Sequence, residues 1–564
     1  MNLATLFPAL MPLAWLLPNH YFPWVSAWHE AIALVSVAAA VLVAQGAARL
    51  PIGWVSLIAL GLASVAAQWL GGRVFFGGDA LMTAVYLAAL AAALSVGYNL
   101  GARPSGLQRQ DGSGAGPVGI EAYGGAVLLA AIASVAIALL QWTGAASLGI
   151  WQVDMPPGGR PYGNVAQPNH LCTICALGVI ASGILRQTGR IGAVGFWVAV
   201  VWMLLGMVLT GSRTGWLQVA VVAGLTMVLS QRAGVLPGRR AALALAALYA
   251  AGVLAWPALN GLMSLQEGRA LSEFAQPGTR WLHWTALADA VTREPLWGYG
   301  WQQVSVAQVR GAELHPVVGE YIEHSHNLVL DLVLWAGLPI GLTIAGLAGY
   351  WLVMRLKACR DGLSAWLLMG VAVLAVHALL EYPLSYAYFL VPLGVMVGAV
   401  DRLQDHQDGF QVGLRIQRVG AAGLLAMLAW IGSEYLEAEQ GHRLLRLESA
   451  RIGTTGLQTP PPELRLLTQL GAFQRFAHTQ AFAGMSSQRV DEMRRVAERF
   501  AYPPSMFRYA LAAGLNGQPE IAALTLVRLC RIHPVQRCNE AREAWASLQS
   551  THPALKAVSA PPAP

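Results

Sequence analysis

Five short stretches of this chain concentrate side chains able to do chemistry. Tyr162-Gly163-Asn164-Val165-Ala166-Gln167-Pro168-Asn169-His170 runs straight into an apolar segment. Gln167, Asn169 and His170 supply amides and an imidazole there, and Pro168 suits a first helical turn. They read either as ligand-facing groups or as a polar cap on a helix entering a membrane. Thr210-Gly211-Ser212-Arg213-Thr214-Gly215 separates two apolar runs by a tight turn. Arg213 there either snorkels to lipid head groups or offers a guanidinium fork to a phosphate. Gly278-Thr279-Arg280-Trp281-Leu282-His283-Trp284 begins an amphipathic helix, and Pro295-Leu296-Trp297-Gly298-Tyr299-Gly300-Trp301 follows it. Those Trp rings either anchor at a membrane interface or give stacking faces to sugars. Glu323-His324-Ser325-His326-Asn327 joins two imidazoles, a carboxylate and an amide directly before another apolar run. Ser325 or Asn327 can cap that helix. A histidine titrating near neutrality suits general-base work, whereas a zinc site would need a third ligand, and no HExxH or carboxylate-rich loop supplies one. Glu381-Tyr382-Pro383-Leu384-Ser385-Tyr386 forms a hairpin between two runs.

The elements that must position these clusters are membrane helices. Of 564 residues, 56% are apolar and 12% charged, about half the usual globular share of roughly 25%. That excludes a soluble enzyme, a disordered chain and a collagen-like protein. Runs near 3–18, 30–48, 51–70, 80–98, 121–142, 167–185, 190–210, 214–230, 240–259, 327–354, 362–379, 385–400 and 413–431 are each apolar, and about twenty such residues cross ~30 Å of hydrocarbon. The fold class is therefore all-α: a polytopic helical membrane protein with 12–13 spans. No short signal peptide stands out, so the first run is expected to stay as a helix. The formal charge of +7 is too dilute for nucleic-acid binding.

Orientation follows the Arg/Lys bias of the short loops. With a cytoplasmic N-terminus, fourteen cations from Arg49 to Arg418 fall in cytoplasmic loops and only Arg73, Arg160 and Arg213 in the short outer ones. All five polar clusters then share the outer face. The chain divides into N-terminal spans (1–258), a large outer loop (259–326), C-terminal spans (327–431) and an outer polar tail (432–564). The tail opens with an amphipathic stretch, Glu434 to Arg451. Its helix, Gly-rich turn and helix around 506–524, closed by His533-Pro534, resemble a degenerate tetratricopeptide unit or a plain helical domain. The last residues, Ser559 to Pro564, form a frayed Pro/Ala end. Cys172 and Cys175 read as small apolar residues in a buried helix, and Cys359 as inert. Cys530 and Cys538, eight residues apart in the outer tail, are expected to pair as a disulfide.

The segments Gln167-Pro168-Asn169-His170, Gly211-Ser212-Arg213 and His324-Ser325-His326-Asn327 with Gly337-Leu338 resemble the O-antigen ligase (Wzy-C) superfamily. Their order and spacing are similar to its PglL-like bacterial protein O-oligosaccharyltransferase branch, the pilin glycosylation ligases, over about residues 1–430. The polar tail resembles that branch's extra C-terminal domain. The family pattern has a small residue or Tyr three positions after the Gly that stands at 337. Here Ile340 occupies that place, with Gly341 one step later. By the same match, Arg213 and Arg280 correspond to diphosphate-binding arginines, His326 to the essential base, and Gln167 and Tyr382 to polar residues the branch needs. Asn169, His170, His324 and Asn327 complete the expected substrate-binding set.

The resemblance implies a glycosyltransferase in the bacterial inner membrane, with its active site and tail in the periplasm. Its donor would be an undecaprenyl-diphosphate-linked glycan and its acceptor a Ser or Thr hydroxyl of a periplasmic protein such as pilin. The transfer is expected to invert the anomeric centre without cofactor or metal. Rival readings are transfer to lipid A–core, O-antigen polymerisation and, in another class, a transporter, which should place its polar or broken segments at mid-membrane.

Overall fold

A computed structural model describes residues 2–103, 117–156, 158–262, 280–405, 409–450 and 460–561. Each of the thirteen apolar runs falls on a helix. α1 is Leu3–Leu10, continued by a 3-10 turn at Met11–Trp15. α2 is Ala27–Leu42, α3 Ile52–Leu70, α4 Gly77–Leu100, α5 Val118–Thr143, α6 Pro168–Gln187, α7 Ala193–Leu209, α8 Thr214–Ala233 and α9 Arg239–Leu262. The outer segment supplies α10 (Arg280–Arg293) and α11 (Val304–Gly311). α12 (Leu328–Ala358), α13 (Gly362–Ala378), α14 (Ala387–Leu403) and α15 (Leu414–Ser449) complete the apolar set. Among the described residues, eight helices are long and apolar enough to cross a membrane, and Leu3–Trp15, Ala27–Leu42, Ala193–Leu209 and Gly362–Ala378 are apolar but shorter. The chain is a multi-pass helical membrane protein.

Three departures from the sequence expectation have local causes. Ala48–Pro51 (β1) pairs antiparallel with Gly409–Val412 (β2), so a four-residue ribbon interrupts the all-α pattern. These strands carry no alternation long enough to read, and Gln417 fastens the ribbon by donating to the Val412 carbonyl at 2.9 Å. α15 does not stop near 431 but runs to Ser449. Nothing between them breaks a helix, so the amphipathic stretch is its continuation. At ~1.5 Å per residue its 36 residues span roughly 54 Å, well beyond ~30 Å of hydrocarbon. α12 is broken at Gly337, with φ 80° and ψ 166°.

The described residues pack as two units: Met1–Ala59, Val85–Gln276 and Gly346–Ala429 in the first, Leu60–Ala84, Pro277–Ala345 and Trp430–Pro564 in the second. Segments far apart along the chain, 277–345 and 430–564, therefore share one packed unit. In the first unit, small residues let helices touch. A Cβ at Gly97 of α4 would run into the Val395 carbonyl of α14, and one at Gly398 into the Leu94 carbonyl. Such close backbone approach holds helices together where lipid gives no hydrophobic drive. In the second unit the tail forms α16 (Thr468–His478), α17 (Ser487–Arg499), α18 (Pro503–Leu515), α19 (Pro519–Ile532) and α20 (Val535–Thr551). The expected helix–turn–helix is α18 and α19, turning at Gly517. Its core includes Phe476, Met493, Leu526 and Trp545. Cys530 and Cys538 are joined as a disulfide between α19 and α20, their Cα atoms 4.6 Å apart. The expected frayed end lies partly outside the described residues, at 562–564.

Candidate active site

In the first unit, three of the five clusters meet on one side chain. The Asn169 amide donates to Glu381 Oε1 at 2.8 Å and accepts from the Ser212 hydroxyl at 2.7 Å. It thereby ties the start of α6 to the turn carrying Arg213 and to the hairpin carrying Tyr382. Arg160 supports the same turn by donating to the Thr210 and Gly211 carbonyls, both at 3.3 Å. Ser212 is buried, while Arg213 is half-buried as the residue before α8. Tyr382 stacks on Tyr386 with ring centroids 5.9 Å apart.

Two expected ligand contacts are reassigned here. Gln167 is the N-cap of α6, accepting from the His170 amide at 2.9 Å, so its carbonyl oxygen satisfies a helix end. His170 is only 3% exposed. Its Nδ1 meets the Tyr388 hydroxyl at 3.0 Å, and its ring packs edge-on against Tyr386 and Phe389. These contacts brace the start of α6.

In the second unit, the remaining clusters meet around His326. The Trp284 indole of α10 donates to the Ser325 carbonyl at 2.7 Å. Asn327 caps α12, its side-chain oxygen accepting from the amides of Val329 and Leu330 at 3.0 and 3.1 Å. That occupies the oxygen expected to face substrate, and of the two proposed caps Asn327 is the one used. Between Ser325 and Asn327, His326 takes φ 59°, a left-handed backbone that costs a residue with a Cβ about 1–2 kcal/mol. Such strain persists only where the surroundings over-determine it, and it collects at functional sites. The residues before it are held by Asp331, one turn into α12 and 1% exposed. Its Oδ1 accepts from the Ser325 amide at 2.7 Å, and its Oδ2 lies 3.5 Å from His324 Nδ1. His324 thus faces a carboxylate on the protein.

Arg280 opens α10 and is half-buried, with Gly278 and Thr279 before it outside the described residues. On the same helix, burial pushes the His283 imidazole below its ordinary value. Glu320, 3.9 Å away, opposes that shift, and His326 adds to it. The break in α12 is built by the loop 295–301. Tyr299 and Gly300 donate backbone amides to the Leu334 and Trp335 carbonyls at 2.7 and 3.1 Å, and Leu338 donates to the Pro295 carbonyl at 2.7 Å. A Cβ at Gly337 would strike the Leu296 carbonyl, so this position needs glycine for both its φ and its space. A Cβ at Gly341 would fall 2.6 Å from the Leu332 carbonyl, so the glycine one step late in the motif is itself closely packed.

Three further arginines hold protein carboxylates: Arg73 with Glu294 at 3.0 Å, Arg293 with Asp289 at 2.8 Å and Arg310 with Glu498 at 3.0 Å. Arg269 lies outside the described residues. Among the described residues, no group of three His, Cys, Asp or Glu is arranged to hold a metal ion.

Comparison with known proteins shows what this chain resembles. Residues 198–345 match the family described as O-antigen ligase, and residues 161–187 match protein glycosylation ligase. Residues 365–548 match virulence factor membrane-bound polymerase, C-terminal. The chain is 28% identical over 552 residues to the general O-oligosaccharyltransferase of Acinetobacter baylyi, covering 94% of this chain and 92% of that protein. It is 30% identical over 244 residues to the ComP-specific O-oligosaccharyltransferase of the same organism, covering 43% and 44%. This chain is similar to the O-antigen ligases in its middle segment and to an O-oligosaccharyltransferase over nearly its whole length.

Every candidate side chain falls inside one of those segments. Gln167, Asn169 and His170 lie in the glycosylation-ligase match. Arg213, Arg280, His324, His326, Asn327 and Gly337 lie in the O-antigen ligase match, and Tyr382, Cys530 and Cys538 in the third. Asp331 lies in the O-antigen ligase match as well, and sequence reasoning passed over it. Its signal was an acidic residue inside the run Leu328-Val329-Leu330-Asp331-Leu332-Val333-Leu334, where ionisable groups are costly and functional by default. Ser212 and Glu381 were named only as members of their clusters, because nothing local shows that both bond to Asn169.

Proposed function

We propose that this chain, which resembles the O-antigen ligases, is an O-linked oligosaccharyltransferase. In this reading it moves a glycan from undecaprenyl diphosphate to a Ser or Thr hydroxyl of a periplasmic protein such as pilin. One observation carries it: the strained His326 turn, braced by Asp331 and Trp284, inside the segment that matches the O-antigen ligases. A base presented this way is fixed in place before substrate arrives.

The chemistry then follows from residue types. His326 accepts the proton of the acceptor hydroxyl as that oxygen attacks the sugar's anomeric carbon. The bond from that carbon to the diphosphate oxygen breaks, and undecaprenyl diphosphate leaves with the electron pair. Arg213 and Arg280 hold the diphosphate and stabilise the charge growing on it, supplying as fixed guanidiniums what a divalent cation supplies elsewhere. A single displacement inverts the anomeric centre. Asn169 and the Gln167 cap set the turn and helix that aim Arg213, and Tyr382 offers a face to the glycan. The Arg/Lys bias supports placing the site and tail on the periplasmic side of a bacterial inner membrane. The tail's repeat-like helix pairs would receive the acceptor protein.

The test is glycosylation of a pilin in cells carrying the wild-type chain, His326→Ala or Arg213→Ala, read by intact-protein mass. Glycan on the pilin with the wild type and none with either variant is expected. Normal glycan with correctly inserted variants overturns the site. Unchanged pilin mass, together with loss of long lipopolysaccharide chains on deletion, transfers the reading to lipid A–core ligation.

A further inference from the structure

We infer that Arg499, at the end of α17 in the C-terminal tail, is a positioning residue for the His326 loop. The tail is then a working part of the active site, besides any docking of acceptor. The inference rests on His326 being the base.

Arg499 is nine-tenths buried. Its guanidinium donates to both carboxylate oxygens of Asp79, at 3.1 and 3.2 Å, and Nη1 lies 3.8 Å from Glu323 Oε1. Glu323 stands three residues before His326. The Arg499 carbonyl also accepts from the Tyr321 hydroxyl at 2.9 Å and from the Ser305 hydroxyl at 3.0 Å. The same hydroxyl lies 3.1 Å from Glu323 Oε1, an alternative acceptor for its one proton. One tail residue therefore contacts the loop at 321 and 323 and the preceding α11 at 305, and it is anchored at the start of α4. Asp331 grips the same loop from the other end, at 324 and 325. A turn whose central residue is strained needs such fixing on both sides.

The guanidinium is held in its charged form. Burial alone lowers the Arg499 guanidinium's pKa, but the Asp79 and Glu323 carboxylates outweigh it and hold the group above its ordinary value. A bidentate guanidinium–carboxylate pair also fixes direction, which a lysine at the same place would not. The contacts of Arg499 run to Asp79, Glu323, Tyr321 and Ser305, on the side of the His326 loop, so the predicted effect is on turnover and not on donor affinity.

The experiment uses full-length protein in nanodiscs, a synthetic undecaprenyl diphosphate disaccharide as donor probe and a serine-bearing pilin as acceptor. Tyr321→Phe removes one hydroxyl and should lower kcat about 3- to 10-fold, and Arg499→Ala should lower it more than about tenfold, with donor KM within about twofold in both. Because Arg499→Ala leaves Asp79 buried without its partner, the swap Asp79→Arg with Arg499→Asp is the rescue and should recover most of kcat. Unchanged kcat in both single variants overturns the inference. So does a loss of kcat matched by a fall in donor affinity or melting temperature that the swap leaves uncorrected. His326→Ala runs alongside. If the wild type transfers no glycan, or His326→Ala transfers normally, the functional reading has failed. If both behave as proposed and only Arg499 is neutral, the positioning role alone has failed.

Discussion

Asp331→Ala should abolish the His326 turn more than it harms the fold. The strain at His326 is about 1–2 kcal/mol. Against it stands a charge-assisted bond from the Ser325 amide to Asp331 Oδ1 at 2.7 Å, of a type that contributes about 1.5–3 kcal/mol. Removing the carboxylate loses that bond and leaves the amide of a residue 1% exposed without its acceptor. The Trp284 bond to the Ser325 carbonyl remains and is worth about 1 kcal/mol. The net shift against the strained turn is then about 2–3 kcal/mol. At ~1.4 kcal/mol per decade, the equilibrium constant for the presented imidazole falls roughly 30- to 150-fold, which sets the upper bound on the fall in kcat. Asp331→Asn keeps an oxygen for the Ser325 amide but loses the charge, so about fivefold is expected. The assay is the initial rate of glycan transfer to purified acceptor, read by mass, with donor KM measured in parallel. An Asp331→Ala protein of wild-type melting temperature whose kcat stays within about twofold would refute the bracing argument. A changed donor KM at constant kcat would do so as well.

Other outcomes follow from the same contacts. Gly337→Ala combines a positive φ costing about 1–2 kcal/mol with a clash against the Leu296 carbonyl, so melting temperature and transfer rate should both fall, and a neutral variant would mean the break in α12 is dispensable. Burial lowers the folded-state pKa of His283 from an unfolded value of about 6.5, so its contribution to stability is complete above that pH and lost as pH falls below it. Between pH 7 and 5 the wild type should therefore lose more thermal stability than His283→Gln, and equal losses would discount the buried imidazole. Closing eight residues with the Cys530–Cys538 bond should contribute about 2.5 kcal/mol to the tail. Cys530→Ser should then melt the tail earlier, and maleimide labelling of both native thiols without reduction would refute the bond.

The helices were legible because apolar runs of this length have one solution in a membrane, and all thirteen runs are helical. Arg213, His326 and Tyr382 were legible because polar groups stand out against such a background. What escaped was long-range. β1 and β2 are four residues each and become strands only by meeting each other across the chain. α15 runs unbroken through the change of composition near 431, where the packed units also divide, because a backbone helix ignores which solvent its side chains face. Gln167 and Asn327 had the residue types of both caps and ligand groups, and only their hydrogen bonds show that their oxygens cap helices. Asp331 and Arg499 hold a loop they do not belong to, which no local pattern reveals.

The Asp79–Arg499 pair also sets a clock. The two residues lie 420 positions apart, so at about 5–20 residues per second roughly 20 to 80 s of synthesis separate them. For that interval Asp79 sits at the head of an apolar helix before the guanidinium that will neutralise it exists. Residues 60–84 must wait inserted but unfinished for the tail to arrive from the other end of the chain. Nascent chains halted short of residue 499 should thus be the ones that quality-control proteases find, whereas release of the finished tail closes the window.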